Sequence, residues 1–263
     1  MKLQQVSDNC FAVLNERNRV CDANSGLINL GGGVVIDTQS DLPHARRMIE
    51  LFSKVWPRMP KRVVNTHEDG DHVWGNQLFK GAEIIAHRTV LERMPHVADP
   101  SETQKLLAGA DRFLSRLLLK AIHPGALAIA KQLQQDYDFS GINLVLPTTV
   151  FDERHVLDLD GTEVQLIYVG PCHQVGDTIV YLPKERVLFA GEKDDPGTVA
   201  APGASSPLFI FLRDAADAMP TMRPRETALG FLAYAGLAVA LIALMFAVSH
   251  VPAAEAALSV FMD

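Results

Sequence analysis

The chain has 263 residues, 48% of them hydrophobic, which is enough to bury a full core without disulfides. Its formal charge is -7 at pH 7 and its 24 Lys and Arg are scattered rather than massed, which speaks against a nucleic-acid partner. Three cysteines, Cys10, Cys21 and Cys172, show no paired spacing and point to a reducing compartment.

Residues 10–14, 26–30 and 34–37 are short apolar runs separated by Asn, Ser and Gly, the pattern of consecutive strands. Gly31-Gly32-Gly33 falls between two of them and reads as a tight hairpin. No helix N-terminus follows it to hold an anion, so it does not read as a nucleotide loop. A helix is expected over 42–55, with Ala45, Met48, Ile49, Phe52 and Val55 on one face and Pro57 and Pro60 at its end. Residues 62–65 then form a buried strand that runs into Thr66-His67-Glu68-Asp69-Gly70-Asp71-His72. Imidazole suits zinc and iron and carboxylate oxygens suit harder cations, so His67, Asp69, Asp71 and His72 can face one or two ions from a single turn. The alternative is a solvated acidic turn that happens to carry two histidines.

A helical turn at 75–79, a strand at 83–86 and a helix at 88–94 follow, with Trp74 and Asn76 read as packing and capping and His87 as structural. From 101 to about 137 the pattern is helical, with Leu106, Leu107, Phe113, Leu114, Leu117 and Leu118 ahead of a break at His123-Pro124-Gly125. That pair of helices reads either as a lid over a pocket or as an insertion that only packs. Strands resume at 156–159, 163–168, 177–182 and 187–190, with turns at Asp160-Gly161 and Pro183-Lys184-Glu185. The layout is that of an α/β protein with layered sheets.

Two more ligand types stand just past strands: His173 in Gly170-Pro171-Cys172-His173-Gln174-Val175-Gly176-Asp177, and Glu192 in Leu188-Phe189-Ala190-Gly191-Glu192. Over about residues 10–192 the sequence resembles the metallo-β-lactamase superfamily. Its H-x-H-x-D-H motif is met at 67–72 with Asp69 in place of the second His. Its Gly-His-Thr-x-Gly-Asp element is approximated at 172–177, and its Gly-Asp element aligns with Gly191-Glu192, with Glu in place of Asp. The resemblance implies a four-layer αββα sandwich with a dinuclear metal site between the sheets. It also implies that His67, Asp69 and His173 hold one metal, that Asp71 and His72 hold a second with Glu192 bridging, and that Asp71 orients the nucleophile. The implied cofactor is one or two divalent ions, zinc first, with iron or manganese brought into range by the Asp69 carboxylate. The implied function is a metal-dependent hydrolase that uses a metal-bound hydroxide on an ester, lactone, thioester or amide of a small molecule. The alternatives are an iron-dependent redox enzyme of the same superfamily and a catalytically impaired, membrane-anchored remnant.

Beyond Glu192 the match stops. No Gly-His-Gly element follows, His250 is the sole downstream histidine, and 193–224 is rich in Ala, Pro, Gly and Ser. The expected organisation is a metallo-β-lactamase-like domain over 1–200 with its helical insertion at 101–137 and an incomplete second half. A linker or divergent tail follows over 201–226, then an apolar helix over 227–249 and a short tail over 250–263. Residues 228–248 carry no charged side chain and have the length of a bilayer-spanning helix, a buried core helix being the alternative. Arg213, Arg223 and Arg225 precede that stretch and no Lys or Arg follows it, so the domain is expected to be cytoplasmic and anchored by its tail. Residues 1–8 lack the apolar run of a secretory signal. The sequence leaves the oligomeric state open.

Overall fold

A computed structural model of the chain describes residues 1–191 apart from 18, 20 and 112–123. The described residues all fall in one compact unit, Met1–Ala218; a second unit, Met219–Asp263, holds none of them. Seven strands make the first sheet in simple chain order: β1 Lys2–Gln5, β2 Cys10–Leu14, β3 Ser25–Ile28, β4 Val34–Ile36, β5 Arg62–Val64, β6 Glu83–His87 and β7 Thr149–Phe151. The first three junctions are antiparallel and the last three parallel, with Ile36, Val64 and Ile85 side by side. The triple glycine is the β3–β4 hairpin. Its residues have φ of 60°, 93° and 85°, and a Cβ on Gly31 would stand 2.8 Å from the Leu159 Cα.

The second sheet is an antiparallel meander of β8 Arg154–Leu159, β9 Thr162–Tyr168, β10 Thr178–Leu182 and β11 Val187–Phe189. Period-two alternation turns Leu157, Leu159, Val164, Leu166, Val180 and Leu182 inward and leaves Arg154, Asp158 and Glu163 exposed. The inward side chains meet Cys10, Ile28, Val34, Ile36, Val64 and Ile85 of the first sheet in one apolar cluster, which is the core that joins the sheets.

Helix α1, Leu42–Phe52, covers the outer face of the first sheet, where Met48, Leu51 and Phe52 pack with Phe11, Val35 and Val63. Asp41 caps it by accepting the His44 N–H at 2.7 Å. It ends three residues before the expected Val55, and the remainder is a run of hydrogen-bonded turns, Trp56 N–H donating to Phe52 O at 2.8 Å. A one-turn helix, α2 Gly70–Val73, and a 3-10 helix, Trp74–Leu78, follow β5. Helix α3, Arg88–Val97, runs three residues beyond the expected Met94 with Pro95 inside it, and at its end Ala98 N–H reaches Met94 O and the Trp74 indole N–H reaches Ala98 O at 2.8 Å. The helical insertion is α4 Pro100–Asp111 and α5 Pro124–Asp136, with Pro124 opening the second helix.

Strands β1 and β7 have no counterpart in the sequence reading. β1 is an exposed edge strand of mostly polar residues, and β7 is three residues after Pro147, too short for periodicity to mark. Among the described residues the architecture is mixed α/β with helix, sheet, sheet layers. The expected fourth layer, the linker and the apolar helix at 227–249 lie outside the described residues. Within them, no helix is long and apolar enough to cross a membrane.

The two sheets are clipped at one end by Glu185 in the β10–β11 turn. Its carboxylate accepts from the Ser7 hydroxyl, from the Asn9 backbone N–H at 3.1 Å and from the Asn9 amide at 2.7 Å. Burial pushes this carboxyl up, and the Ser7 and Asn9 bonds more than reverse that, holding it below the usual carboxylate range. A carboxyl lowered on folding stabilises the fold above its unfolded pKa and loses that contribution as pH falls through its folded value. The urea midpoint is therefore expected to fall on the acid side, and Glu185→Gln to flatten that fall while lowering the midpoint at neutral pH. Superimposable pH profiles for the two proteins would remove the clip.

Candidate metal centre

The carboxyl ends of the parallel strands β4, β5 and β6 converge at one edge of the first sheet. The ladder extends one residue beyond the strands there, with Asp37 N–H donating to Val64 O at 2.9 Å and Asn65 N–H to Ile85 O at 3.0 Å. Thr178 N–H donates to Thr66 O at 2.9 Å, which brings the β9–β10 loop of the second sheet against the same edge. Thus the 65–72 segment and the 169–177 loop face each other.

Three sequence-predicted ligands meet at this junction. One ligand atom each from His67, Asp69 and His173 lies within 4.8 Å of the others, with His173 Nε2 at 3.0 Å and His67 Nε2 at 3.6 Å from Asp69 Oδ2. His67 Nε2 is buried and has no hydrogen-bond partner among the described residues. A buried imidazole nitrogen without a donor is costly unless something fills the gap, and a cation among these three atoms does so. The donor set, two imidazoles and one carboxylate, fits a divalent transition metal with a position left over for water or substrate. Burial pushes the Asp69 carboxyl up, but the His173 hydrogen bond and the charge of His67 and His173 outweigh it and hold the group well below the usual carboxylate range.

His72 and Asp71 sit beside this trio. The His72 and His67 rings are 4.0 Å apart, and His72 Nε2 is 3.8 Å from Asp71 Oδ2. Both residues belong to α2, which Gly70 opens with its Cα so close to Trp74 that a Cβ would stand 2.2 Å from that ring. Glu192 lies outside the described residues, as do Asp194, Asp195 and His250. Gly191, the last described residue, has φ of 65°, and a Cβ there would be 2.9 Å from Thr66 Oγ1. The end of the second sheet therefore arrives at the cluster.

Three buried acids hold the centre together, and the sequence reading assigns none of them a role. Asp37, fully buried at the end of β4 with φ of 56°, accepts from Thr66 N–H at 2.8 Å, Thr66 Oγ1–H at 2.7 Å and His72 Nδ1–H at 2.8 Å. Because Thr66 gives its one hydroxyl proton to Asp37, its oxygen can only accept from His67 Nδ1, 3.0 Å away. Both imidazoles consequently carry their proton on Nδ1 and turn an Nε2 lone pair toward the site. Asp177 Oδ2 gathers the N–H groups of Cys172, His173 and Gln174 at 3.1, 2.5 and 2.8 Å, fixing the loop that presents His173. Glu68, also fully buried, accepts from Arg93 Nε at 2.5 Å and from Gly176 N–H at 3.1 Å, so the two ligand loops share a strut.

Asn65, Thr38 and Asn76 complete the support. The two amides pair reciprocally at 2.9 and 3.1 Å, and Thr38 Oγ1 donates to Asn76 Oδ1 at 3.0 Å, while Asn65 Nδ2 and Thr38 N–H both hold the His72 carbonyl. Asn76 and Trp74 are thus structural, as expected. His87 caps α3 and stacks flat on Tyr168 at 3.8 Å, again a structural placement.

The sequence profile of the metallo-beta-lactamase superfamily matches residues 18–192, more than half of the chain. The chain belongs to that superfamily. It is 23% identical over 171 residues to a linear primary-alkylsulfatase of Pseudomonas sp. (strain ATCC 19151), a match covering 61% of this chain and 31% of the relative. A shorter stretch of 40 residues is 45% identical to the 2,4-dinitroanisole O-demethylase subunit alpha of a Nocardioides species, covering 15% of this chain and 12% of that one. Among solved structures, a double mutant of the sec-alkyl sulfatase PisA1 superposes with a TM-score of 0.51 at 21% identity, over 71% of this chain and 30% of that one. That likeness bears on the fold. The chain spans about a third of the length of the alkylsulfatase it matches.

Proposed function

We propose that this member of the superfamily is a metal-dependent hydrolase acting on an ester, lactone, thioester or amide, with a sulfate ester favoured within the ester class by the alkylsulfatase relative. The observation that carries the reading is the trio His67, Asp69 and His173 around a buried, unbonded His67 Nε2. In this reading the trio would hold one cation, and Asp71 and His72 a second, with Glu192, next in sequence to the Gly191 that abuts Thr66, as a further ligand. A cation held there supplies Lewis acidity and lowers the pKa of a water to near neutrality. Asp71 would orient that water. Asp37 and Thr66 keep the imidazoles in the ligating tautomer, and Asp69 brings net negative charge that suits zinc, manganese or iron. The apolar 228–248 stretch as a membrane anchor is a proposal from composition alone.

Metal mass spectrometry on the purified full chain, followed by turnover of alkyl sulfates, aryl esters, lactones and amides, tests this. One or two divalent ions per chain and hydrolysis lost on chelation are expected. Stoichiometry near zero overturns the reading, as does bound iron with oxygen consumption and no hydrolysis.

A further inference from the structure

A second polar cavity lies apart from the metal ligands. It has a volume of about 420 Å³ and is lined by Asn15, Glu16, Arg17 and Arg19 of the β2–β3 loop, by Pro43, His44 and Arg47 of α1, and by Met1. That volume is in the range of small-molecule sites. Three arginines and no lysine line it, in a chain whose net charge is -7. We infer that this cavity is a binding site for a small soluble anion carrying a phosphate or sulfate group.

The three arginines divide the work. Arg19 is committed to the scaffold: it pairs with Asp22 at 2.7 Å and Asp136 at 3.5 Å, lies over the Tyr137 ring at 5.0 Å, and donates to His44 Nε2 at 3.0 Å. Since a guanidinium only donates, His44 Nε2 accepts, and its Nδ1–H is turned to Asp41 at 2.6 Å. Asp41 Oδ2 also takes the Asp138 N–H at 2.9 Å, and the Tyr137 hydroxyl donates to Asp22 at 2.8 Å. These bonds tie the loop, α1 and the end of the helical insertion into one network that includes the lining residues Arg19 and His44. The other two arginines are less committed. Arg17 is exposed and makes no ion pair among the described residues, and Arg47 meets only Glu50, an exposed i,i+3 partner at 2.9 Å. Exposed pairs of that kind are worth little and yield to a better acceptor. The planar guanidinium forks of Arg17 and Arg47 can each take two oxygens of a tetrahedral phosphate or sulfate group, which an ammonium does not match. Glu16, facing the Met1 amine at 3.3 Å, is the sole acidic lining residue.

Equilibrium binding of inorganic pyrophosphate and of sulfate to the metal-loaded full chain decides the matter. The double variant Arg17→Gln/Arg47→Gln alters only exposed side chains and is expected to weaken binding about tenfold or more while metal content stays at the wild-type level. Glu16→Gln is expected to act in the opposite sense and tighten binding. The stronger of the two probes identifies the anion. Wild-type affinity in both variants overturns the site, and so does an affinity lost in His173→Ala but kept in the double arginine variant, which would place the anion on the metal.

Discussion

His67→Ala and His173→Ala are each expected to cost the purified chain the cation of the trio, leaving at least one bound metal fewer than wild type, and to reduce turnover about a thousandfold, the loss of several kcal/mol of Lewis-acid stabilisation. The trio offers three donor atoms within 4.8 Å of one another, and removing either imidazole leaves one nitrogen and one carboxylate. Two ligands do not retain a transition metal against dilution, because catalytic sites of this kind rest on three protein ligands. The two variants differ in what they leave behind. His173 carries a 3.0 Å bond to Asp69, so its loss also frees that carboxylate, whereas His67 Nε2 has no hydrogen bond among the described residues to lose. Metal measured per chain, on each variant beside wild type, is the readout. Wild-type metal content in both variants would sink the assignment regardless of what happens to turnover.

Much of this centre was readable from residue order, because ligands that follow strands keep their place when the strands do. Val63-Val64 ahead of the cluster marks a buried parallel strand, and its carboxyl end is where such sheets present polar side chains. The β8–β11 meander was legible from period-two alternation punctuated by Asp160-Gly161 and Pro183-Lys184-Glu185, and α1 from its apolar stripe and prolines. What stayed hidden depended on tertiary neighbours. Strand β1 reads as polar surface because it buries little and gains its order by pairing with β2, as Leu3 does with Val13. The expected helix at 88–94 runs on to Val97, and the carbonyl just past its end takes the indole N–H of Trp74, a partner that local sequence does not show.

The supporting acids were illegible for a sharper reason. Asp37 and Glu68 look like ordinary polar loop residues in sequence and acquire meaning only from partners on another segment, while Asp177 shows there as the end of a motif but not as the acceptor that holds its own loop. Asp37 reaches across 35 positions to His72, and Glu68 reaches 108 positions to Gly176. One signal was available: an acid directly after the apolar run Val34-Val35-Ile36, at the same end of the sheet as the ligand cluster, stands where burial is forced. A buried carboxylate needs donors, and the nearest candidates are the backbone and side chains of the adjacent strand end.

Asp37→Asn is expected to lower metal affinity by about a hundredfold with little change in fold. The backbone does not object, since asparagine tolerates the left-handed φ of 56° found there. The disturbance is in proton placement. With the amide oxygen kept on the Thr66 N–H, the new NH2 faces Thr66 Oγ1 and His72 Nδ1, both of which now donate to the carboxylate. Each must turn into an acceptor. His72 then moves its proton to Nε2, and Thr66, no longer able to give its hydroxyl proton to residue 37, gives it to His67 Nδ1, which sends the His67 proton to Nε2 as well. Both site-facing lone pairs vanish through a change of one atom. Flipping the amide the other way sets its NH2 against the Thr66 N–H, two donors in a buried space, at a cost of about 1–3 kcal/mol. Chelator competition gives the affinity and thermal denaturation the stability. Wild-type metal affinity in Asp37→Asn would mean that the carboxylate merely fills space; a large loss with an unchanged melting temperature identifies it as the group that sets both tautomers.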